Sequence, residues 1–347
     1  MDRRGFLSFP VLVLVLQGAG VAAPNSALAP PGPPWVSELE RDHPLTGRIW
    51  RLSEADFVDP DRLAAALEGA RFLLLGEKHD NADHHRIQAW VIETLISRGR
   101  RPAVALEMLN STQEAPLAAH LAAHPGDAAG IGVAVGWAET GWPAWETYQP
   151  IAQAALAGGA PILAANLPRR TIRAIVREGI EALGLGRATT LGLNRDALTG
   201  ENRSLLRTEI IESHCNQLPD SMIDPMVTVM TARDAQMADA MLRGAAMAGR
   251  DGAVLIAGNG HARVDHGTPL YLARRAPGER VLSLGLLEVS EDLREPTDYA
   301  ARFNVEHLPF DFVWFTPRVD NQDPCEKFAA PLRGARERHL KQTKPSE

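Results

Sequence analysis

Short apolar runs bounded by glycine or polar residues recur along the chain, and each reads as a buried strand followed by a loop and a helix. The run Phe72–Leu75 stops at Gly76 and is followed by Asn81, a good helix N-cap. From there Ile87, Trp90, Val91 and Leu95 recur at helical spacing until Arg98 and Gly99 end the turn. PAVALEML (102–109), PILAANLPRR (161–170) and AVLIAGNGH (253–261) repeat the strand signature, VLSLGLLEV (281–289) predicts a fifth strand, and DFVWFTP (311–317) an edge strand. Between Arg170 and Arg250 no strand-like run occurs, and Thr171–Glu178, Asn202–His214 and Asp224–Gly249 predict helices. Alternation of strands and helices predicts an α/β fold, a mainly parallel central sheet flanked by helices, with a helical insertion at about 171–250.

Polar residues collect at one end of these strands. LLLGEKHDNADHHRIQ (73–88) crowds Glu77, Lys78, His79, Asp80, Asp83, His84 and His85 behind its apolar run. Glu107 falls near the carboxyl end of the second run, Asn166 and Arg169 end the next, and Asn259 and His261 sit in a glycine-rich turn. If the strands are parallel and adjacent, His79, Glu107 and His261 converge in the crevice where open α/β sheets bind ligands. Glu77 and His79 are expected to face inward, with His84 and His85 at the rim or orienting a ligand. Gly76, Gly258 and Gly260 suit a sharp turn and close approach of a ligand.

The chain has 347 residues, 45% of them hydrophobic, enough for a substantial core. Its net charge of -7 comes from 36 basic and 43 acidic residues, well mixed, and nothing suggests a nucleic-acid partner. MDRRGFLSF leads through Val11–Leu16 to the small residues Gly18–Ala23, a secretory signal over 1–23 of twin-arginine type. The expectation is a periplasmic protein with no cysteine at the exit to carry a lipid anchor. A flexible Pro-rich linker is expected over 24–44, the α/β domain over 45–320 and a charged, fraying tail over 321–347. Cys215 and Cys325 could pair in an oxidising compartment, but sequence does not place them together. With no CxxC or CxxCH, covalent haem attachment and a thiolate zinc site are not expected.

Two further clusters carry candidate chemistry. Met226, Met230, Met237, Met241 and Met247 recur along one helix; the spacing fits a buried stripe, preferred here over thioether ligation of iron. Arg233, Asp234 and Asp239 on that helix face either the crevice or solvent. Trp137, Trp142, Trp145 and Tyr148 gather within a short span of a chain with 5% aromatic residues. Flat rings could wall a pocket for a planar ligand or cap the core. Phenolate is a haem-iron ligand type, and Tyr148 is the tyrosine best placed for it.

GEKHDNADHHRIQ, ALEML with Gln113, WPAWETYQP, AANLPR, RDAQMA (233–238) and AGNGHARVDHGTP together resemble the ChaN-like haem-binding uptake family of the Tiki/TraB/erythromycin-esterase superfamily. The similarity runs from about residue 45 to 290, in the family's order. The resemblance implies an erythromycin-esterase/ChaN-like α/β fold, haem as ligand, an envelope role in iron uptake, a homodimer sheltering haem, and an outer-membrane haem receptor system as partner. It also implies that His79, Glu107 and His261 match the site positions of the related hydrolases. Many family members look like lipoproteins, and this chain lacks the lipidation cysteine.

Three readings stay open. In the first, Tyr148 ligates haem iron while Lys78, His79 and His85 serve the cofactor, Lys78 and His85 holding its propionates. In the second, Glu77 or Glu107 is the base of a hydrolase, with His79 and His261 as acid/base partners or, with Glu107, as ligands of a divalent metal. In the third, the same groups form a buried polar network that locks the loops together.

Overall fold

The structure, a computed structural model, describes residues 28–193, 198, 200–323 and 325–326. The signal segment 1–23 and most of the tail lie outside these residues. Eight strands form one sheet: β1 (Ile49–Arg51), β2 (Asp56–Val58), β3 (Phe72–Glu77), β4 (Pro102–Asn110), β5 (Ile162–Asn166), β6 (Gly252–Gly258), β7 (Val281–Glu288) and β8 (Phe312–Thr316). Their order is β2-β1-β8-β7-β3-β6-β4-β5. Pairings from β8 through β5 are parallel, while β1 joins β2 and β8 antiparallel. The expected edge strand at 311–317 is therefore interior: β1 and β2, each of three residues, cover it.

Both faces of the central strands are buried, so they read as continuous apolar runs, yet alternate residues serve opposite cores. Leu73, Leu75, Val104, Leu106, Val254 and Ile256 face the helices Ala82–Ser97 and Trp145–Ala157. Phe72, Leu74, Ala103, Ala105, Ala253 and Leu255 face the long helix Asp220–Ala245. Small side chains on that second face let the long helix lie close. A Cβ built at Gly244 would come within 2.7 Å of the Ala103 Cβ and of Leu163. Met237 and Met241 are fully buried in this core, as the stripe predicted, while Met247 is exposed.

Strands β3, β4 and β6 are side by side and parallel, which brings their carboxyl ends together. The helical segment contains Arg169–Glu178, Leu185–Leu191, Gly200–Ser213 and Asp220–Ala245. Cys215 and Cys325 form a disulfide with Cα atoms 5.4 Å apart, tying the turn between Gly200–Ser213 and Asp220–Ala245 to residues near the C-terminal end of the described chain. The segment expected as a flexible linker is docked from Trp35 onward. The Val36 and Ser37 amides donate to the Asp83 carboxylate at 2.9 and 2.8 Å, and Trp35 and Leu45 are buried. No helix among the described residues is long and apolar enough to cross a membrane.

Candidate functional site

Glu77 ends β3 with its carboxylate buried, and three groups converge on it. Tyr148, from the helix Trp145–Ala157, donates its hydroxyl to Oε1 at 2.7 Å. His79 Nδ1 meets the same oxygen at 2.8 Å, and His85 Nε2 lies 3.3 Å from Oε2. Burial works to raise the Glu77 pKa, but His85 and the hydrogen-bonded His79 outweigh it and hold the carboxyl well below the usual range. His79 shows the converse balance. Burial favours its neutral form, yet the Glu77 hydrogen bond and the charge of Glu107 raise it to about 9. At neutral pH His79 is an imidazolium beside two carboxylates.

Glu107, inside β4, forms the second half. Its Oε1 accepts from Arg233 at 2.5 Å and its Oε2 from the Gly258 amide at 2.7 Å. His261 Nε2 is 3.5 Å from Oε1, and its Nδ1 is 2.7 Å from Asp234, which also accepts from Thr268. Burial would raise the Glu107 pKa; His261, Arg233 and His79 reverse this and set it at about 2. A Cβ built at Gly258 would sit 3.1 Å from His79 Nε2 and 3.7 Å from Glu107 Oε2, so the bare glycine backbone lets the two halves approach. Gly76 is equally constrained, because a Cβ there would strike Asn259 Oδ1 at 2.4 Å.

Glu77, His79, Glu107 and His261 thus meet at the strand ends, joined by Arg233 and Asp234 from the long helix. Asp239 does not reach them; it is buried against Arg275 and Arg187. Other expected roles change. His84 and His85 are fully buried and not at a rim. His84 Nδ1 accepts the Lys78 amide at 2.9 Å, which leaves its proton on Nε2, 2.8 Å from Thr316 Oγ1. Burial, reinforced by His85, lowers its pKa to about 3. His85 lies against the Tyr148 ring, with centroids 4.1 Å apart, and has no open side for a propionate. Lys78 is half-buried and paired with Glu288 at 3.0 Å and Asp80 at 3.4 Å.

The metal alternative fails on the same geometry. Among the described residues no group of three or more His, Cys, Asp or Glu side chains is arranged to hold a metal ion. Glu107 is moreover already engaged by Arg233 and the Gly258 amide.

The aromatic cluster divides in two. Trp137 and Trp145 are buried, with ring centroids 4.8 Å apart. Trp142 stays half-buried, with its ring 4.7 Å from that of His79. On one side of Trp142 lies a crevice of about 360 Å³ that reaches Glu107, Asn166, Arg169 and Arg233. An apolar groove of about 530 Å³, walled by Gly132, Val133, Trp137, Trp142 and Trp145, adjoins it. Val133 in that groove is 89% exposed.

The model of the haem-binding uptake family, Tiki superfamily, ChaN, matches residues 63–272, which include Glu77, His79, Glu107, Tyr148, Arg233, Asp234 and His261. The chain belongs to this family. Among solved structures, the haem-uptake member resembles ChaN of Campylobacter jejuni, described as binding haem cofacially. The identity is 23%, with 77% of this chain and 95% of that one covered and a TM-score of 0.59. This likeness supports the shared α/β fold with the six parallel strands. More distant are the type III effector HopBA1, at 12% identity over 74% of this chain and 92% of that one with a TM-score of 0.43, and an erythromycin esterase mutant in its open conformation, at 16% over 82% and 87% with a TM-score of 0.39. No curated protein sequence matches the chain.

Proposed function

We propose that this protein binds haem in the envelope and acts in haem or iron uptake. The observation that carries the reading is the apolar groove beside the strand-end crevice, in a chain of the haem-binding uptake family. The half-buried Trp142 and the exposed Val133 give this groove an apolar surface, and a porphyrin plane matches it in shape and polarity. Export by the twin-arginine signal, residence in the periplasm, a homodimer and delivery from an outer-membrane receptor system belong to the same proposal.

The tryptophan wall and the exposed Arg169 at the crevice fit the plane and acidic edge of haem. Tyr148 does not fit as iron ligand in this arrangement. All three tyrosines of the chain are buried, and the Tyr148 hydroxyl is spent on Glu77. Burial and the Glu77 charge raise its pKa far above the ordinary phenol range, so phenolate is disfavoured. When bound, haem would supply its iron for transport; the residues here would hold its rings and balance its charge. Hemin titrated into purified protein is expected to give a saturable Soret shift. An unshifted spectrum would end the haem reading.

A second reading, acid/base hydrolysis, is favoured by the Asp234–His261–Glu107 relay beside His79. Protonation states weigh against it: a base of pKa about 2 and an acid of about 9 are both far from neutrality, where proton transfer works best. Turnover of activated esters that disappears with His79→Ala would restore this reading.

A further inference from the structure

The apolar groove and the crevice adjoin at Gly136, Glu139 and Trp142, which border both. One is apolar; the other carries two arginines. Arg169 is exposed, and a hydrogen bond to the Thr140 carbonyl holds its guanidinium in place at the crevice. It has no carboxylate partner among the described residues. Arg233 lies deeper, with its charge directed at Glu107. The His79 ring lies 4.7 Å from that of Trp142, with its charge met by Glu77. Four carboxylates lie near these cations: Glu77, paired with His79; Glu107, already compensated by Arg233 and the Gly258 amide; and the exposed Glu139 and Glu146, which border the groove.

We propose that this crevice is the carboxylate subsite of a flat amphipathic acid whose rings lie on the Trp142 groove, with Arg169 as the group that pairs its acidic edge. The proposal rests on the haem reading and deepens it: the ligand class is a propionate-bearing tetrapyrrole, held by Arg169 in place of Lys78 and His85. Arg169, the crevice cation with no carboxylate partner among the described residues, selects this occupant over a neutral apolar one. An arginine fork donates two parallel hydrogen bonds to a carboxylate, and this one is already placed by its tie to the Thr140 carbonyl. Lys78 is unsuited because it opens into a different cleft and is engaged by Glu288 and Asp80.

The test compares hemin with its dimethyl ester, which keeps the plane and iron but lacks the acidic groups. Both are titrated into the full chain, into Arg169→Glu and into Arg169→Lys, with the Soret band as readout and far-ultraviolet dichroism as the folding control. Arg169→Glu is expected to weaken hemin binding about tenfold, the loss of one charge-assisted hydrogen-bonded pair, and to leave the ester unchanged. Arg169→Lys is expected to recover part of the loss. A hemin affinity indifferent to Arg169→Glu, or an equal loss for hemin and ester, overturns the carboxylate subsite while the haem reading stands. If neither compound shifts its band with the unsubstituted chain, the haem reading falls and the subsite with it.

Discussion

Tyr148 donates its hydroxyl to Oε1 of Glu77 at 2.7 Å, the same oxygen that His79 engages at 2.8 Å. The phenol therefore belongs to the support of the site and not to its open face. Tyr148→Phe is expected to leave the Soret band of the hemin complex in place. It should lower stability by about 1–2 kcal/mol in urea unfolding, because a buried carboxylate loses one donor. A band lost or moved with full stability would return Tyr148 to the iron.

Glu107 is a harder residue to lose. It compensates Arg233 and His261 inside the protein, and truncating one partner of a buried ion pair leaves the others uncompensated. Glu107→Ala is expected to cost about 3–5 kcal/mol. Glu107→Gln, whose single amide oxygen can still accept from either Arg233 or the Gly258 amide, should cost less. Equal losses in chemical denaturation would mean that the charge matters and the hydrogen bonds do not.

Acid stability follows from groups with opposite histories. His84 folds with its pKa near 3 against an unfolded 6.5, so its neutral form stabilises above pH 6.5. That contribution is lost as pH falls from 6.5 toward 3, since the unfolded chain takes the proton first. Glu107, at about 2 against 4.5, adds a second loss between those values. His79 works in the other direction: raised to about 9, it stabilises fully below 6.5 and loses that contribution as pH rises through 9. Thermal midpoints should therefore be highest near pH 6–7. His84→Asn, which keeps an acceptor for the Lys78 amide, should flatten the limb that begins at 6.5. An unchanged limb would assign it elsewhere.

Positions set by strand direction were legible in the residues. Glu77, Glu107 and His261 follow apolar runs, and parallel pairing of β3, β4 and β6 brings such endpoints together. What depends on neighbours far along the chain was not. His84 and His85 open a helix, where solvent is the ordinary expectation, but Ser37 and Thr316 come from distant segments to cover that turn. The inward turn of Tyr148 depends on how its helix rotates when Trp137 and Trp145 fill the core. β1 and β2 are too short for an alternation to register, and so β8 looked like an edge. Asp234 could have been singled out as the partner of His261 by its place on the helical RDAQMA segment beside Arg233, but only packing shows which way it faces.

The disulfide closes a sequence separation of 110 residues, a loop that takes in the long helix Asp220–Ala245 and strands β6, β7 and β8. Constraining so long a loop in the unfolded chain is worth about 2–4 kcal/mol. Cys215→Ser, or reduction of the native protein, should lower the unfolding midpoint accordingly with little change in the Soret band, because the cysteines do not line the groove. A band that vanishes on reduction would mean that the helical segment holds the site together.

Close approach of the long helix to the sheet rests on Gly244. A side chain there meets Ala103 and Leu163, so Gly244→Ala forces the helix outward although alanine is the better helix former. Overpacking of this kind costs about 1–3 kcal/mol, against a propensity gain of about 1 kcal/mol. The expected net effect is a lower unfolding midpoint. Because Arg233 and Asp234 ride on the same helix, hemin affinity should fall with it. Pairing Gly244→Ala with Ala103→Gly should restore both quantities if contact with β4 is the cause. A midpoint that rises with the single substitution would show that the helix has room to move.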